Sequence, residues 1–577
     1  MVKTLRRRWP LLLGGLVLVW LVLAGVALLS ANRDLRSGLR AVEDARARAD
    51  ATAIVEGRLL PEMKVARSRF AAGHDRVDSP LLLPARVLPV VGRQLRSVTA
   101  LSGAATTVAD VAIAGMTDAK PVLDEPGGSN AARAASARRL GELAGRADTR
   151  LGRLDLGPRQ GLLSPLARAR NRLADQVAEL RDALGKGAKG GIAVADLLQG
   201  PRRYLVFAAN NAEMRAGSGM FLSAGELETG PEGIRLGTMR SVTEIPVPVG
   251  AVPVTGDLAD RWGWLEPNVE WRNLMTSPRF DVAAPLAAEM WVAAGHRPVD
   301  GVMVLDPVAL GGLLRATGPV EVEGRRFSEE NIEQELLHDQ YLRFPADEDK
   351  PERREGLGKI ASAVFASLDS GRWSLPGLAS GLASAARGRH LLMWAGGATE
   401  QSAWQALGVD GTVTSDSLMV SVLNRGGNKL DQFVDTQAEI GLVPVDDETE
   451  VVLTVRLENR VPTGEPSYVA GPHLGSGVGE GVYKGILAIT VPVAAHDGWF
   501  EGVDQLAVAG RDGPSQVMGF QFELPRGDQR TVVARFRLPT QSGTLRVEPS
   551  ARVPATTWRS GSATWTDSTI KMLSWAI

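Results

Sequence analysis

Arginine side chains in the middle of the chain are the residues best suited to chemistry. Arg215 follows an apolar run in YLVFAANNAEMRAGSGMF (204–221), and Arg343, Arg353 and Arg354 lie close together further along the chain. A guanidinium presents two parallel N–H donors, which match two oxygens of a phosphate or a carboxylate. The sequence therefore predicts a site that binds phosphate or pyrophosphate, provided that the fold assembles these arginines in one pocket.

Two asparagines stand next to the first of these arginines. Asn210 and Asn211 follow the apolar run and precede Arg215. Polar side chains that gather at the end of a buried strand often line a binding site. We expect both amides to contact the same ligand as Arg215, at the rim of a pocket.

Two aspartates bracket a second apolar run, GVMVL (301–305). Asp300 precedes it and Asp306 follows it. A carboxylate can hold a magnesium ion that bridges phosphate oxygens, so either aspartate is a candidate metal ligand and magnesium is the candidate cofactor. The simpler interpretation of Asp306 is a helix cap, because Pro307 suits the first turn of a helix and aspartate accepts hydrogen bonds from first-turn amides.

Other charged residues also have simple interpretations. In NRGGNKLDQFV (424–434), Asn424, Lys429 and Asp431 surround a Gly-Gly pair, which is most simply a hairpin turn with a solvated lysine. Arg353 and Arg354 have acidic neighbours on both sides, a pattern typical of an exposed helix face. The functional and the structural interpretations of these two arginines both remain open.

Composition excludes several classes of protein. The 577 residues carry 65 basic and 66 acidic side chains, and this balance argues against nucleic acid as a partner. The absence of cysteine excludes disulfides, thiolate zinc sites and a cysteine nucleophile. Six scattered histidines argue against a transition-metal site built from histidines. The chain also lacks a nucleophile elbow, a Walker loop and a dinucleotide-binding fingerprint.

The N-terminus predicts a membrane anchor. Lys3 and Arg6–Arg8 precede an uncharged stretch, Trp9–Ala31, which is long enough to cross a hydrocarbon layer of about 30 Å as a helix. The stretch exceeds the apolar core of a signal peptide, so we expect an uncleaved anchor, with cleavage after Ala31 as the alternative. The basic cluster places the N-terminus in the cytoplasm and the bulk of the chain outside it, in a single-pass topology. No second stretch is expected to span a membrane.

The composition and the hydrophobic periodicity along the chain predict an α+β multidomain protein. Alanine- and leucine-rich segments with helical periodicity follow the anchor, and GKGAKGGIA (185–193) has the composition of a flexible linker. Strands alternating with helices then indicate an α/β core, and alternating strands alone indicate a β-sandwich. The predicted segments are a cytoplasmic tail (1–8), a transmembrane helix (9–31), a helical stalk or bundle (32–192), an α/β core (193–435) and a β-sandwich (436–577).

Several motifs resemble those of one bacterial family. YLVFAANNAEMRAGSGMF, VDGVMVLDPVALGGLLRATGPVEV, ENIEQELLHDQYLRF and NRGGNKLDQFV occur in the order found in domain of unknown function 4012. The resemblance covers about residues 204–434. It implies a single-pass protein of the bacterial cell envelope with a helical segment ahead of the core, and it implies no particular activity.

A more distant likeness suggests a chemistry. The order of the strand with Arg215, the DGVMVLDP segment and the QYLRF…ERREGLGKI segment is similar to that in the LytR-CpsA-Psr ligases. Those enzymes bind glycopolymers that are linked to polyprenyl pyrophosphate, and they transfer the polymer to the cell wall. Their arginines bind the pyrophosphate, and their aspartates surround a magnesium ion. By position, Arg215, Arg343 and either Arg353 or Arg354 would match their arginines. Asn210 and Asn211 replace acidic residues of those enzymes, and a neutral amide is a poorer magnesium ligand than a carboxylate.

Two functions follow as hypotheses. In the first, the protein binds envelope glycopolymer or its polyprenyl-phosphate carrier through the core arginines, and if the core is catalytic, the expected reaction is transfer of the pyrophosphate-linked glycan to a wall hydroxyl. In the second, it is a non-enzymatic wall-binding or scaffold protein with a degenerate ligase-like core. The positions of the arginines favour the first hypothesis, and the two asparagines favour the second. Convergence of the arginines on one cleft would distinguish them.

Overall fold

The structure is a computed structural model of the chain. It describes residues 2–48, 57–124, 128–345, 350–369, 373, 375–473 and 475–576. The described side chains begin at residue 18 and leave out those of residues 124, 350–352, 354, 355, 357, 375, 376 and 576. The side chain of Arg354 lies outside the described ones. The chain forms two compact units, which are Met1–Glu125 with Ala135–Val194, and Pro126–Ala134 with Ala195–Ile577.

The first unit is helical, as the alanine- and leucine-rich composition predicts. Its helices pack through small residues: Gly73 of the second helix faces Leu35 and Ala31 of the first so closely that a Cβ would meet Leu35 Cδ2 at 2.7 Å. The helices are α1 (Val2–Ala47), α2 (Leu60–Asp78), α3 (Leu83–Arg86), α4 (Pro89–Asp124), α5 (Asn130–Leu151) and α6 (Ser164–Gln199), with a 3₁₀ turn at Pro80–Leu82.

The predicted linker at 185–193 is wrong, because this segment continues helix α6. Its glycines serve helix packing. A Cβ on Gly191 would lie 2.8 Å from Gly141 Cα, and one on Gly141 would lie 2.9 Å from the carbonyl oxygen of Ala188. Helices α5 and α6 therefore approach through a seam of small residues, and the gain in packing outweighs the low helix propensity of glycine.

Two helices among the described residues are long and apolar enough to cross a membrane. They are α1, over Leu18–Ala47, and α4, over Pro89–Leu123. The first agrees with an anchor near the N-terminus. The expectation that no second stretch qualifies is wrong, since α4 meets the same test of length and composition.

The second unit begins with a mixed sheet of six strands in the order β3-β2-β1-β5-β8, with β4 paired to β2. Only β1 and β5 are parallel, and Ala208 pairs with Leu305 at their carboxyl ends. The strands are β1 (Arg202–Met214), β2 (Gly219–Gly230), β3 (Gly233–Leu236), β4 (Arg240–Ser241), β5 (Gly301–Leu305) and β8 (Leu391–Ala395), and a separate hairpin contains β6 (Val320–Val322) and β7 (Arg325–Phe327).

Helices accompany this sheet, and the run of strands and helices predicted for the core is present. One of them begins at Pro307, as the sequence predicts. The helices are α7 (Gly256–Trp262), α8 (Phe280–Ala293), α9 (Pro307–Thr317), α10 (Ile332–Gln334), α11 (Gln340–Arg343), α12 (Lys350–Asp369), α13 (Leu375–Arg387), α14 (Ala398–Leu407) and α15 (Ser467–Ala470), with a π-helical turn at Glu335–Asp339.

Two further six-stranded sheets share one hydrophobic core, to which Val420 contributes from one sheet and Leu453 from the other. One sheet has the order β13-β16-β11-β10-β18-β19 and the other β14-β15-β12-β9-β17-β20. The strands are β9 (Ser417–Asn424), β10 (Val434–Val445), β11 (Glu448–Asn459), β12 (Tyr483–Pro492), β13 (His496–Phe500), β14 (Val508–Asp512), β15 (Ser515–Leu524), β16 (Gln529–Leu538), β17 (Ser542–Val547), β18 (Thr557–Ser560), β19 (Ala563–Thr566) and β20 (Lys571–Ala576).

Candidate functional site

The carboxyl ends of the parallel strands β1 and β5 bring two predicted site residues into contact. Asn211 donates from Nδ2 to Asp306 Oδ2 at 2.8 Å and to the carbonyl of Ala551 at 2.7 Å. Both Asn211 and Asp306 are buried. Ligands of sheets with parallel strands commonly bind at this edge, so the edge is the first place to look for a site.

Asp306 is a helix cap, as its simpler interpretation predicts. Its Oδ1 accepts the backbone N–H of Ala309 at 3.0 Å, in the first turn of α9. Its Oδ2 lies 2.6 Å from His390 Nδ1, because Leu305 and Leu391 pair directly in the antiparallel strands β5 and β8. Burial alone would lower the pKa of His390, but the adjacent Asp306 charge outweighs that effect and raises it. His390 therefore keeps its proton to a higher pH than an exposed histidine does.

Lys429 is buried, so its interpretation as a solvated turn residue is wrong. Its ammonium forms an ion pair with Glu213, and its Nζ lies 5.2 Å from the ring centre of Tyr341 and 5.0 Å from that of Tyr468. Burial alone would lower the pKa of Lys429, but the Glu213 charge raises it above its ordinary value. The Gly-Gly turn, with Gly427 at a φ of +70°, turns the chain back so that Lys429 points into the fold.

Asp431 forms a second buried ion pair two residues further on. Arg552 Nη1 donates to Asp431 Oδ1 at 2.9 Å, and neither side chain has measurable exposure, at 0% each. The same carboxylate accepts from Tyr483 Oη at 2.9 Å, from the Met214 N–H at 3.0 Å and from Asn424 Nδ2 at 2.9 Å. The fold thus fills every position around this carboxylate with a donor of its own.

Arg215 is also buried, and acceptors of the chain itself surround its guanidinium. Nε donates to the carbonyl of Arg272 at 2.8 Å, and Nη1 donates to the carbonyls of Met214 and Asn424 at 3.0 and 2.8 Å. Nη2 donates to Asn273 Oδ1 at 3.3 Å. Burial lowers the pKa of Arg215 to about 10. These contacts tie the end of β1 to the end of β9, which favours a structural role.

The other predicted arginines lie in different surroundings. Arg343 is exposed and pairs with Glu335 at 2.8 Å. Arg353 is buried, with its guanidinium carbon 3.9 Å from the ring centre of Tyr468, and it donates to the Phe344 carbonyl. Arg353 therefore reaches the buried cluster through Tyr468, whereas Arg343 faces solvent.

A small cavity lies beside Asn210 and Asp306. Asn210 Nδ2 donates to the Tyr341 hydroxyl at 3.1 Å, and burial raises the pKa of that hydroxyl to about 12. Asn210, Asp306 and Tyr341 line the cavity with Gln340, and its volume is about 70 Å³. Pockets for small molecules usually measure about 300–1,000 Å³, so this one has room for little more than two water molecules at about 30 Å³ each.

Asp300 lies far from Asp306, at the amino end of β5. It is exposed, and its Oδ2 accepts the backbone N–H of Arg203 at 2.8 Å. Six residue steps along a strand separate the two aspartates by about 20 Å, so one metal ion cannot bind both. Asp300 instead lines a separate pocket of about 1070 Å³ with Arg202, Arg203 and other residues. Within the described residues, no three histidine, aspartate or glutamate side chains group as a metal site would require.

Several residues of the cluster are not predictable from one sequence. Arg552 lies between β17 and β18, and His390 directly precedes β8, so only contacts between distant segments bring them to Asp431 and Asp306. Arg425 is a further residue that the sequence did not identify as a site candidate. It is half-buried, and its guanidinium lies 5.8 Å from the ring centre of Trp264, which is 50% exposed. Burial lowers the pKa of Arg425, and no carboxylate of the described residues lies within 4.0 Å of it. The sequence signals for this pair are an arginine next to an apolar run and a second tryptophan two residues after Trp262.

The fold and site define an α+β protein whose buried edge carries a closed polar cluster. Residues 199–341 match the family model described as protein of unknown function (DUF4012). This match confirms the resemblance recognised from the motifs as far as residue 341, and it covers β1, β5, Asn210, Asn211, Arg215 and Asp306. The rest of the predicted resemblance, to about residue 434, lies outside the match. No curated protein matches the chain, and no solved structure matches it either.

Proposed function

We propose that the chain is a membrane-anchored protein of the cell envelope that binds anionic glycopolymer without transferring it. The observation that carries this proposal is the internal pairing of charges at the β1–β5 edge. Lys429 pairs with Glu213, and Asp431 pairs with Arg552, each pair being buried. A buried cation that already has a carboxylate partner offers little net positive charge to a pyrophosphate.

The small cavity supports binding without transfer. A transferase must admit a pyrophosphate, the first sugar and an acceptor hydroxyl to one place. About 70 Å³ beside Asp306 and Tyr341 is too little for these groups. The arginines that the likeness to LytR-CpsA-Psr ligases assigns to pyrophosphate also lie apart, with Arg343 exposed and Arg215 bound to carbonyls.

Arg425 and Trp264 supply a better place for an anionic polymer. The half-exposed indole offers an apolar face for the C–H face of a sugar ring, and the neighbouring guanidinium can donate to a phosphate or carboxylate on that sugar. Burial, together with the positive charge of the nearby Arg425, lowers the pKa of Arg215. An anion bound at Arg425 would reduce the repulsion between the two arginines.

The test uses the full chain in detergent with poly(glycerol phosphate) as the polymer and a neutral glucan as the comparison. We expect the parent protein to bind the phosphate polymer more tightly than the glucan. Arg425→Gln should weaken binding about tenfold, because a charge-assisted hydrogen bond contributes about 1.5–3 kcal/mol. Trp264→Ala should weaken it as well, and the matched control Arg343→Gln should not.

A second assay separates binding from transfer. The full chain is incubated with a polyprenyl-pyrophosphate-linked oligosaccharide and cell-wall acceptor, and the release of polyprenyl phosphate is followed. We expect no release above that without protein. Release that depends on the protein and disappears in Arg353→Gln would overturn the proposal and support the transferase. Equal polymer affinity of Arg425→Gln and the parent would overturn the assignment of the binding surface.

A further inference from the structure

Residues 80–91 connect helices α2 and α4 of the helical unit and expose a run of apolar side chains, and we call this segment the apolar tip. This segment contains the 3₁₀ turn Pro80–Leu82, helix α3 and the first residues of α4. Contiguous exposed apolar side chains are unusual in a soluble surface and commonly mark a contact with a protein or a membrane. The exposed members are Leu83, Val87, Leu88, Val90 and Val91, the most exposed being Val87 at 82%.

The tip lies against the apolar surface of helix α1. Trp20 Nε1 donates to the carbonyl of Leu81 at 2.8 Å, and Ala24 and Leu82 share a small hydrophobic core. The α1 side chains around this contact are exposed as well, and they continue the apolar surface of the tip. These are Leu18, Val19, Leu21, Val22, Leu23, Val26, Leu28 and Leu29.

An arginine-lined groove of about 1590 Å³ opens beside the tip. Five arginines and three acidic residues line it, so the groove carries a surplus of positive charge. Arg86 pairs with Asp78 at 2.6 Å, and Arg146 lies 4.0 Å from Glu142. The remaining arginines are exposed, and no carboxylate of the described residues lies within 4.0 Å of their guanidinium groups. They are Arg96, Arg150 and Arg153.

We propose that the apolar tip inserts into the bilayer that α1 enters, and that the groove binds phosphate head groups of anionic lipids at its surface. The proposal rests on membrane anchoring by α1 and not on glycopolymer binding. Apolar side chains ringed by arginines are the usual composition of a segment that lies in a membrane interface. A binding partner other than lipid would have to cover both the apolar tip and the exposed apolar side chains of helix α1.

The position of the tip along α1 agrees with this occupant. From Trp20 to Ala31, the predicted end of the span, there are eleven residues, which a helix covers in about 16 Å. That is about half of a hydrocarbon layer of about 30 Å. Arg96 lies one helical turn and a half beyond Val91, about 8 Å, and its long side chain can extend to the head groups.

The absence of cysteine in the natural sequence permits a direct test. A single cysteine is placed at the tip, Val90→Cys, and labelled with a fluorophore that responds to polarity. The matched control is Val65→Cys on α2, which is 48% exposed. Its neighbour Ala66 packs near Ala41, about 30 Å along α1 from Trp20. Both full-length proteins are reconstituted in vesicles of phosphatidylcholine and phosphatidylglycerol.

We expect the label at residue 90 to emit at shorter wavelength and to be quenched by nitroxide on lipid chains, but not by iodide. The label at residue 65 should show the reverse. Quenching at residue 90 should be at least threefold stronger with nitroxide on phosphatidylglycerol than on phosphatidylcholine. Arg96→Gln with Arg153→Gln should remove this preference, and Arg139→Gln, on α5 outside the groove, should keep it. Iodide quenching of residue 90 would overturn insertion, and equal quenching by both lipids would overturn head-group binding.

Discussion

The buried cluster of the second unit and the groove of the helical unit both contain arginines, but their charges are balanced differently. In the cluster, Arg552 lies 2.9 Å from Asp431, and neither is exposed. In the groove, Arg96 and Arg153 are exposed and have no carboxylate of the described residues within 4.0 Å. In the cluster, the positive charge of the arginine is neutralised within the protein. In the groove, the positive charges of the arginines remain available to bind an anionic partner.

This difference shows what an arginine motif can and cannot predict. The side chain suits phosphate wherever it occurs, but its availability depends on the acceptors that the fold brings to it. Arg215 has four acceptors within 3.3 Å, three of them backbone carbonyls. Within the part of the chain that the structure describes, the guanidinium of Arg425 has no such carbonyl partners, and it lies beside an exposed ring. The predictions below test whether charge balance separates structural from ligand-binding arginines.

The largest effect is expected from Arg552→Met. This change leaves Asp431 fully buried without its cation, and removal of one partner of a buried pair costs about 3–5 kcal/mol. Guanidinium-induced unfolding of the second unit, followed by tryptophan fluorescence, measures the loss. Arg460→Met is the control, since its pairs with Glu458 and Asp435 lie at the surface, where water screens them, and its loss should change the stability little. Equal losses in both variants would contradict the account.

The second effect concerns pH and Asp567. Burial raises the pKa of Asp567 from 3.8 to about 7, so the folded chain keeps a proton that the unfolded chain releases. The resulting stability is complete below about pH 4 and is lost as the pH rises to about 7, and it amounts to about 4 kcal/mol. Asp567→Asn should remove this part of the slope when the free energy of unfolding is measured from pH 4 to 8. Parallel pH profiles of parent and variant would refute the prediction.

Neutralising the Lys429–Glu213 pair should give an intermediate effect. Lys429→Met alone leaves a buried carboxylate without a partner and should lower the free energy of unfolding by about 3 kcal/mol. The double variant Glu213→Gln with Lys429→Met should recover most of that loss, because it leaves no unpaired charge. A double variant no more stable than the single one would show that the pair has no such coupling.

The smallest effect is expected in the groove. Arg96→Gln and Arg153→Gln should change the free energy of unfolding of the helical unit by no more than about 0.5 kcal/mol, because both side chains are exposed and away from carboxylates. Thermal unfolding in detergent, followed by circular dichroism, measures this. A loss of 2 kcal/mol or more would place these arginines with the structural ones.

Local patterns predicted part of this molecule well. The apolar run at 301–305, Pro307 and the Asp306 cap depend on neighbouring residues, and the structure confirms all three. The prediction of a linker at 185–193 was wrong because the packing of Gly141 against Gly191 is a contact between segments that are distant in the sequence. The prediction that Lys429 is solvated was wrong for the same reason, because its partner Glu213 lies more than 200 residues earlier in the chain.

Pairing across distant strands is what one sequence could not reveal about the site. The sequence singled out Asn210, Asn211 and Asp306 as candidate site residues, and the structure places both asparagines close to Asp306. It gave no sign of His390, which reaches Asp306 through the antiparallel pairing of β5 and β8. The sequence also could not show that the charges of the cluster would pair with one another inside the protein.

The most direct test compares polymer affinity in two variants of the full chain. One is Glu213→Gln with Lys429→Met, which removes the charges of one buried ion pair of the cluster, and the other is Arg425→Gln. The account predicts that the first variant binds poly(glycerol phosphate) with the affinity of the parent and that the second binds it about tenfold more weakly. Loss of affinity in the first variant together with parental affinity in the second would contradict it.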